Sequence, residues 1–206
     1  MKTYNFTGPF PQGSATSDYQ RFLLGVEFHE SALRSEEGRQ EIDGATSLPV
    51  VPMIASYAFA AELYLKSLAS VGTGMGPRTG HKLDLLFRRL SPEIQEDIAQ
   101  RYKDRTHRKR FELDDDLKAF ASAFEEWRYI FEAEGGRQIH VNLLIVFVRS
   151  IYSSARATFP TWAVRDEQHS RIMAESKTPT MTVANLGGGV FVHMVDGTGT
   201  LNLPDA

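Results

Sequence analysis

Between Met53 and Leu65 only Ser56 and Glu62 interrupt an otherwise apolar run, within the stretch PMIASYAFAAELYLKSLAS from Pro52 to Ser70. A helix built from it is apolar nearly all round, which requires burial on several sides and makes this segment the central post of whatever fold forms. Pro52 suits a first helical turn, and Gly72, Gly74 and Gly76 mark the end. Glu62 and Lys66 interrupt the run and leave it too polar for a membrane span, so the reading is a core helix.

A chain of 206 residues is long enough to bury a substantial core as one domain with a tail. It contains no cysteine, which excludes a disulfide framework and thiolate chemistry and fits a reducing compartment. The first residues, MKTYNFTGPFPQG, lack the basic-then-apolar layout of a secretory signal, and a cytoplasmic location is expected. A net charge of −3 argues against coating nucleic acid by bulk charge but leaves local basic patches open.

In chain order, residues 1–16 read as a β-prone arm rich in Gly and Pro. Ser17 is placed as an N-cap with Gln20 completing a capping box, so a helix opens at Asp18 and ends between Arg34 and Gly38. Tyr19, Phe22, Leu23, Val26 and Leu33 form its apolar face; His29, beside Glu27 and Glu30, lacks zinc-helix spacing and is expected to face solvent. A polar connection, SEEGRQEIDGATS, leads to the central helix. The glycine-rich run VGTGMGPRTGH after it lacks the Gly-Lys-Ser/Thr ending of a P-loop and reads as a flexible loop. A short helix over HKLDLLFRRL follows, and Ser91-Pro92-Glu93 opens another toward Tyr102.

The segment RYKDRTHRKR concentrates Arg101, Arg105, His107, Arg108, Lys109 and Arg110. Such a patch suits phosphates, and it equally suits a solvated helix end, where cations complement the helix dipole. Asp114, Asp115 and Asp116 balance the start of the next helix and point in different directions, so they are not read as a metal site. Leu113, Leu117, Phe120, Phe124, Trp127 and Phe131 predict one long amphipathic helix from 113 to 131, with Arg128 beside the seam between Glu125 and Glu132. Gly135-Gly136 ends it, and a last helix is predicted from Arg137 to Thr158 with His140 in its first turns. Beyond Pro160, residues 161–176 are polar and in part helical. TPTMTVANL and GGGVFVHMV are β-prone; pairing with each other, with the N-terminal arm or with a partner subunit all remain open.

Three pieces together resemble the HEPN superfamily of helical bundles: AAELYLKSL from Ala60 to Leu68, GHKLDLLF from Gly80 to Phe87, and Glu126-Trp127-Arg128-Tyr129 followed by Glu132. The resemblance covers residues 18–158, with Lys82 standing where the family pattern has Asp. It implies an all-α fold, an up-and-down bundle of four to five helices over residues 17–159, flanked by the arm 1–16 and a partly β-prone extension 160–206. It also implies a homodimer, often belonging to toxin–antitoxin or antiviral systems, that binds RNA or a nucleotide, with an antitoxin or nucleotidyltransferase as a possible partner and no cofactor or metal. Some members are metal-independent endoribonucleases, in which a His moves the 2′-hydroxyl proton and an Arg stabilises the phosphorane.

On that reading Arg128, Arg137 and His140 are the catalytic candidates at the junction of the last two helices, and Lys66, His81 and Tyr129 the ligand-binding ones. His81 equally suits a backbone-capping role, and Glu62 with Lys66 a packing pair. The family spacing of an Arg, four to six residues, then a His is broken at Arg137 and His140, which are separated by only two residues. It does occur from Arg101 to His107, where about one such pair is expected by chance.

Overall fold

The first helix, α1 (Ser17–Glu37), takes in Ser17, which the capping pattern places just before it. In the computed structural model the residues described are 17–38, 40–42, 45–47, 49–71, 80–107, 110–121, 123–124, 137–174, 180–185 and 190–195. The N-terminal arm, the glycine-rich loop over 72–79 and the segment carrying Arg128 and Tyr129 lie outside them. The elements that follow α1 are the strands β1 (Gln40–Ile42) and β2 (Ala45–Ser47), then the helices α2 (Val50–Val71), α3 (Leu83–Phe87), α4 (Pro92–Thr106) and α5 (Arg110–Phe120). After them come β3 (Arg137–His140), α6 (Val141–Thr158), α7 (Asp166–Met173), β4 (Thr180–Asn185) and β5 (Val190–Val195). The described chain is mostly helical, as expected.

Helix α2 is the post its composition demanded. Met53, Ile54, Tyr57, Ala58, Ala60, Ala61, Tyr64 and Leu65 are all buried, and the helix contacts α1, α3 and α6. Helix α1 runs antiparallel to it, so that Phe22 meets Tyr64 (ring centroids 5.5 Å apart) and Phe28 meets Phe59 edge-on at 4.5 Å. Tyr152 of α6 completes this centre, stacked on Phe22 at 5.9 Å and tilted against Tyr64 at 5.7 Å. Each such aromatic pair adds about 0.5–1.5 kcal/mol beyond area burial. The close approach of α1 to α2 depends on Gly25, where an added Cβ would lie 2.7 Å from Cε1 of Tyr64. Tyr64 is fully buried among those rings and cannot retreat. Gly25→Ala is therefore expected to destabilise the protein by about 1–3 kcal/mol, as overpacking does, and thermal denaturation would read it as a clear fall in Tm.

Helix α7 fastens to α1 through polar contacts: Arg171 Nη1 donates to Glu30 Oε2 (3.1 Å), Arg171 Nη2 to Glu37 Oε1 (3.0 Å), and Gln168 Nε2 to Glu27 Oε1 (3.1 Å). Ser91 caps α4 by accepting from the Ile94 amide at 3.4 Å, with Pro92 in the first turn, as its sequence requires.

The polar connection after α1 contains an antiparallel strand pair in which Gln40 pairs with Ser47 and Ile42 with Ala45. Two sequence expectations are corrected. The long helix expected from 113 to 131 stops at Phe120: Ala121 forms a turn, and its carbonyl accepts from the Leu83 amide at 2.9 Å. The seam residues Leu113, Leu117 and Phe120 are nonetheless buried as predicted. The last bundle helix begins at Val141, because residues 137–140 form a strand that pairs with β4 in an antiparallel sheet of order β3-β4-β5. Arg137 pairs with Asn185 and His140 with Thr182, while Thr180 of β4 pairs with Val195 of β5. The two β-prone tail segments thus pair with each other and with the entry to α6, a partner that an isolated hairpin needs.

Candidate functional site

Glu62 is almost fully buried on α2, at 1% exposure. One turn later Lys66 Nζ reaches its Oε1 at 2.6 Å, the i,i+4 contact that helical spacing provides. From the segment preceding α3, His81 Nδ1 lies 3.0 Å from Oε1 and 3.2 Å from Oε2 of the same carboxylate. Gly80, at φ +108°, makes the turn that sets His81 there, and the Leu83 to Ala121 hydrogen bond fixes the start of α3 just beyond. A carboxylate only accepts, so Nδ1 carries the proton and Nε2 is left to face outward. The His81 side chain is 48% exposed.

Aromatic rings continue from this imidazole: Phe124 lies 6.5 Å from it, Phe59 stacks on Phe124 at 4.4 Å, and Phe28 meets Phe59. Lys66 and His81, nominated from separate stretches of sequence, are thus brought together on one buried anion. An ammonium, an outward imidazole nitrogen and partly buried aromatic faces form a surface suited to a phosphate and a base.

The basic segment divides. Arg101 Nε binds Asp97 Oδ2 at 2.9 Å. Partial burial works against the Asp97 charge, but the hydrogen bond and positive charge of Arg101 help to outweigh it, and the carboxyl is held below its ordinary value. Arg105 is held below the usual arginine range, first by desolvation and then by the neighbouring charges of Arg101 and Arg149. Arg149 comes from α6 and was not singled out by the sequence reading. His107 caps α4 in the left-handed conformation, at φ 57°, with its amide donating to the Lys103 carbonyl at 2.7 Å. Its side chain is exposed. Arg108 and Lys109 lie outside the described residues, and Arg110 opens α5.

The catalytic trio is not assembled as expected. Arg128, like Tyr129, lies outside the described residues. Arg137 and His140 belong to a strand, which removes the helical i,i+3 relation that would have put them on one face. His140 is exposed at the N-cap position of α6.

His29 is the other correction. It is fully buried, on the stripe of α1 defined by Phe22, Val26 and Leu33, and its Nδ1 lies 3.3 Å from the Tyr64 hydroxyl. Burial, assisted by the positive charge of Arg149, lowers its pKa from 6.5 to about 3, so it is neutral at physiological pH. Around it Tyr57 donates to Glu36, and Tyr152 bonds His169 Nδ1 at 2.8 Å. Desolvation pushes the Tyr57 and Tyr64 hydroxyls well above the ordinary tyrosine value and Tyr152 to about 12. Among the described residues no cluster of three or more His, Cys, Asp or Glu is arranged to hold a metal ion, and no helix is long and apolar enough to cross a membrane.

Compared with models of known families, with curated proteins and with solved structures, the chain gave no match.

Proposed function

We propose that this chain is a HEPN-like module that binds RNA or a nucleotide, with Lys66 receiving the phosphate, His81 Nε2 accepting from a ligand hydroxyl or base N–H, and the Phe124 and Phe59 rings supporting a base. The observation that carries the reading is the convergence of Lys66 and His81 on the buried carboxylate of Glu62. Glu62 orients the imidazole by accepting from Nδ1, which leaves Nε2 for a ligand atom. A base stacked on an aromatic face contributes about 1–3 kcal/mol whatever its identity, which suits a module of low sequence preference.

The test is fluorescence anisotropy with a labelled mixed-sequence single-stranded RNA, in competition with ATP. His81→Ala removes a half-exposed side chain and leaves the core untouched. It is expected to weaken binding about tenfold, the loss of roughly 1.4 kcal/mol. Equal affinity of parent and variant would remove this site from the reading. Resolving the same mixtures on a denaturing gel in EDTA separates binding from cleavage: products made by the parent and lost in His140→Ala would favour the metal-independent endoribonuclease over the binding module.

A further inference from the structure

Lys66 Nζ and His81 Nδ1 share one oxygen, Glu62 Oε1, at 2.6 and 3.0 Å, so an ammonium and an imidazole are neighbours on the same carboxylate. Glu62 is buried and the Lys66 side chain is largely so, while the His81 side chain is half-exposed. The ring is held through Nδ1 and open at Nε2. Phosphate oxygens accept hydrogen bonds, and so does Nε2 once Nδ1 carries the proton. A phosphoryl group drawn to Lys66 therefore gains nothing from Nε2 through its oxygens. Its phosphorus, in contrast, is an electrophile, and a neutral imidazole nitrogen is a nucleophile.

We infer that His81 Nε2 accepts a phosphoryl group from a donor of the phosphoramidate class, one whose phosphorus is bonded to nitrogen, with Glu62 behind the ring and Lys66 beside the phosphorus. The inference rests on the reading that Lys66 receives a phosphate. In the step, the Nε2 electron pair forms the new N–P bond as the donor's P–N bond breaks. The departing nitrogen is already protonated, so it takes the bonding pair and leaves as a neutral amine. The ring keeps its Nδ1 proton and gains one positive charge, and the transferred phosphoryl group remains a dianion.

Each charge has a counterpart in the structure. The Glu62 carboxylate faces the ring across Nδ1–H, with Oε1 at 3.0 Å and Oε2 at 3.2 Å. It is enclosed on α2, so its attraction for the ring is little screened. Charge in the transition state spreads over the three equatorial phosphoryl oxygens, where the Lys66 ammonium is the stabilising group. An ordinary phosphate ester offers no comparable path, because its alkoxide departs as a strong base that an imidazole displaces only uphill. RNA is thus a ligand of this site and not its phosphoryl donor.

The experiment treats the full chain with potassium phosphoramidate at pH 8 and follows phosphorylation of each histidine by peptide mass spectrometry under alkaline conditions. His107, exposed at the end of α4, is the internal standard. His81 is expected to react at least about tenfold faster than His107, well under what one preorganised group supplies in an enclosed site. In Glu62→Gln, with its fold checked by circular dichroism, the His81 rate is expected to fall to that of His107, whose own rate stays unchanged. Equal rates at the two histidines of the parent would overturn the inference, and so would a His81 rate untouched in the folded variant. The parent ratio decides even where Glu62→Gln fails to fold. RNA anisotropy on the same preparation keeps the two readings apart. RNA binding with equal histidine rates ends this inference alone, whereas fast reaction at His81 without RNA binding sustains it and ends the RNA reading.

Discussion

Lys66→Met is expected to lower the unfolding free energy by about 3 kcal/mol, since removing one partner of a buried ion pair leaves the other charge uncompensated. The carboxylate left behind is that of Glu62, which is enclosed on α2 and would then depend on His81 alone. Replacing both charges tests the cause. In Glu62→Gln with Lys66→Met no buried charge is stranded, and at least half of the loss should return, because a buried ion pair exchanged for neutral groups of similar volume is often tolerated. Urea unfolding of the two single variants and the double variant gives the coupling directly. Strictly additive losses would mean that Lys66 stabilises through its methylene stem, not through Glu62.

Acid is expected to act on the opposite side of α2. His29 has a folded-state pKa near 3 against 6.5 when exposed, so the unfolded chain binds the proton more readily. Stability therefore rises with pH between those two values and falls as pH drops through 6.5 toward 3. His29 alone should remove about 2 kcal/mol between pH 7 and pH 5, a window above the ordinary carboxylate range. The groups that face it are Arg149 and Tyr152 from α6 and Tyr57 and Tyr64 from α2. None of the tyrosines titrates in that window, since burial raises all three. Urea midpoints of the parent and of His29→Leu across pH 5 to 7 supply the measurement. The variant should show a flatter profile, and parallel profiles would assign the acid response to other groups.

The burial of His29 was legible in the sequence, although its type argued against it. It stands three residues after Val26 and four before Leu33, on the same stripe that places Phe22 inside. Its polar neighbours Glu27 and Glu30 drew attention away from that spacing, and Glu30 is itself buried, receiving Arg34 and Arg171. Arg149 is a similar case: it lies four residues after Ile145 and three before Tyr152, both core residues of α6. Periodicity shows such a residue to be inside, but it does not show whether the partner there is a carboxylate, a ring or another arginine.

Local physics read from the chain determined the elements that depend on neighbours in sequence. The all-round apolar run forces α2 into the centre, Ser91 opens α4, and Leu113, Leu117 and Phe120 place the buried face of α5. Only the tertiary structure decided where long-range pairing overrides that pattern. The β4 strand claims residues 137–140 and removes them from the final helix, and the Leu83 amide occupies the Ala121 carbonyl where α5 stops. The same holds for the candidate site. Glu62 and His81 stand nineteen positions apart in the chain. Their meeting is set by helix packing, which no periodicity within one segment contains.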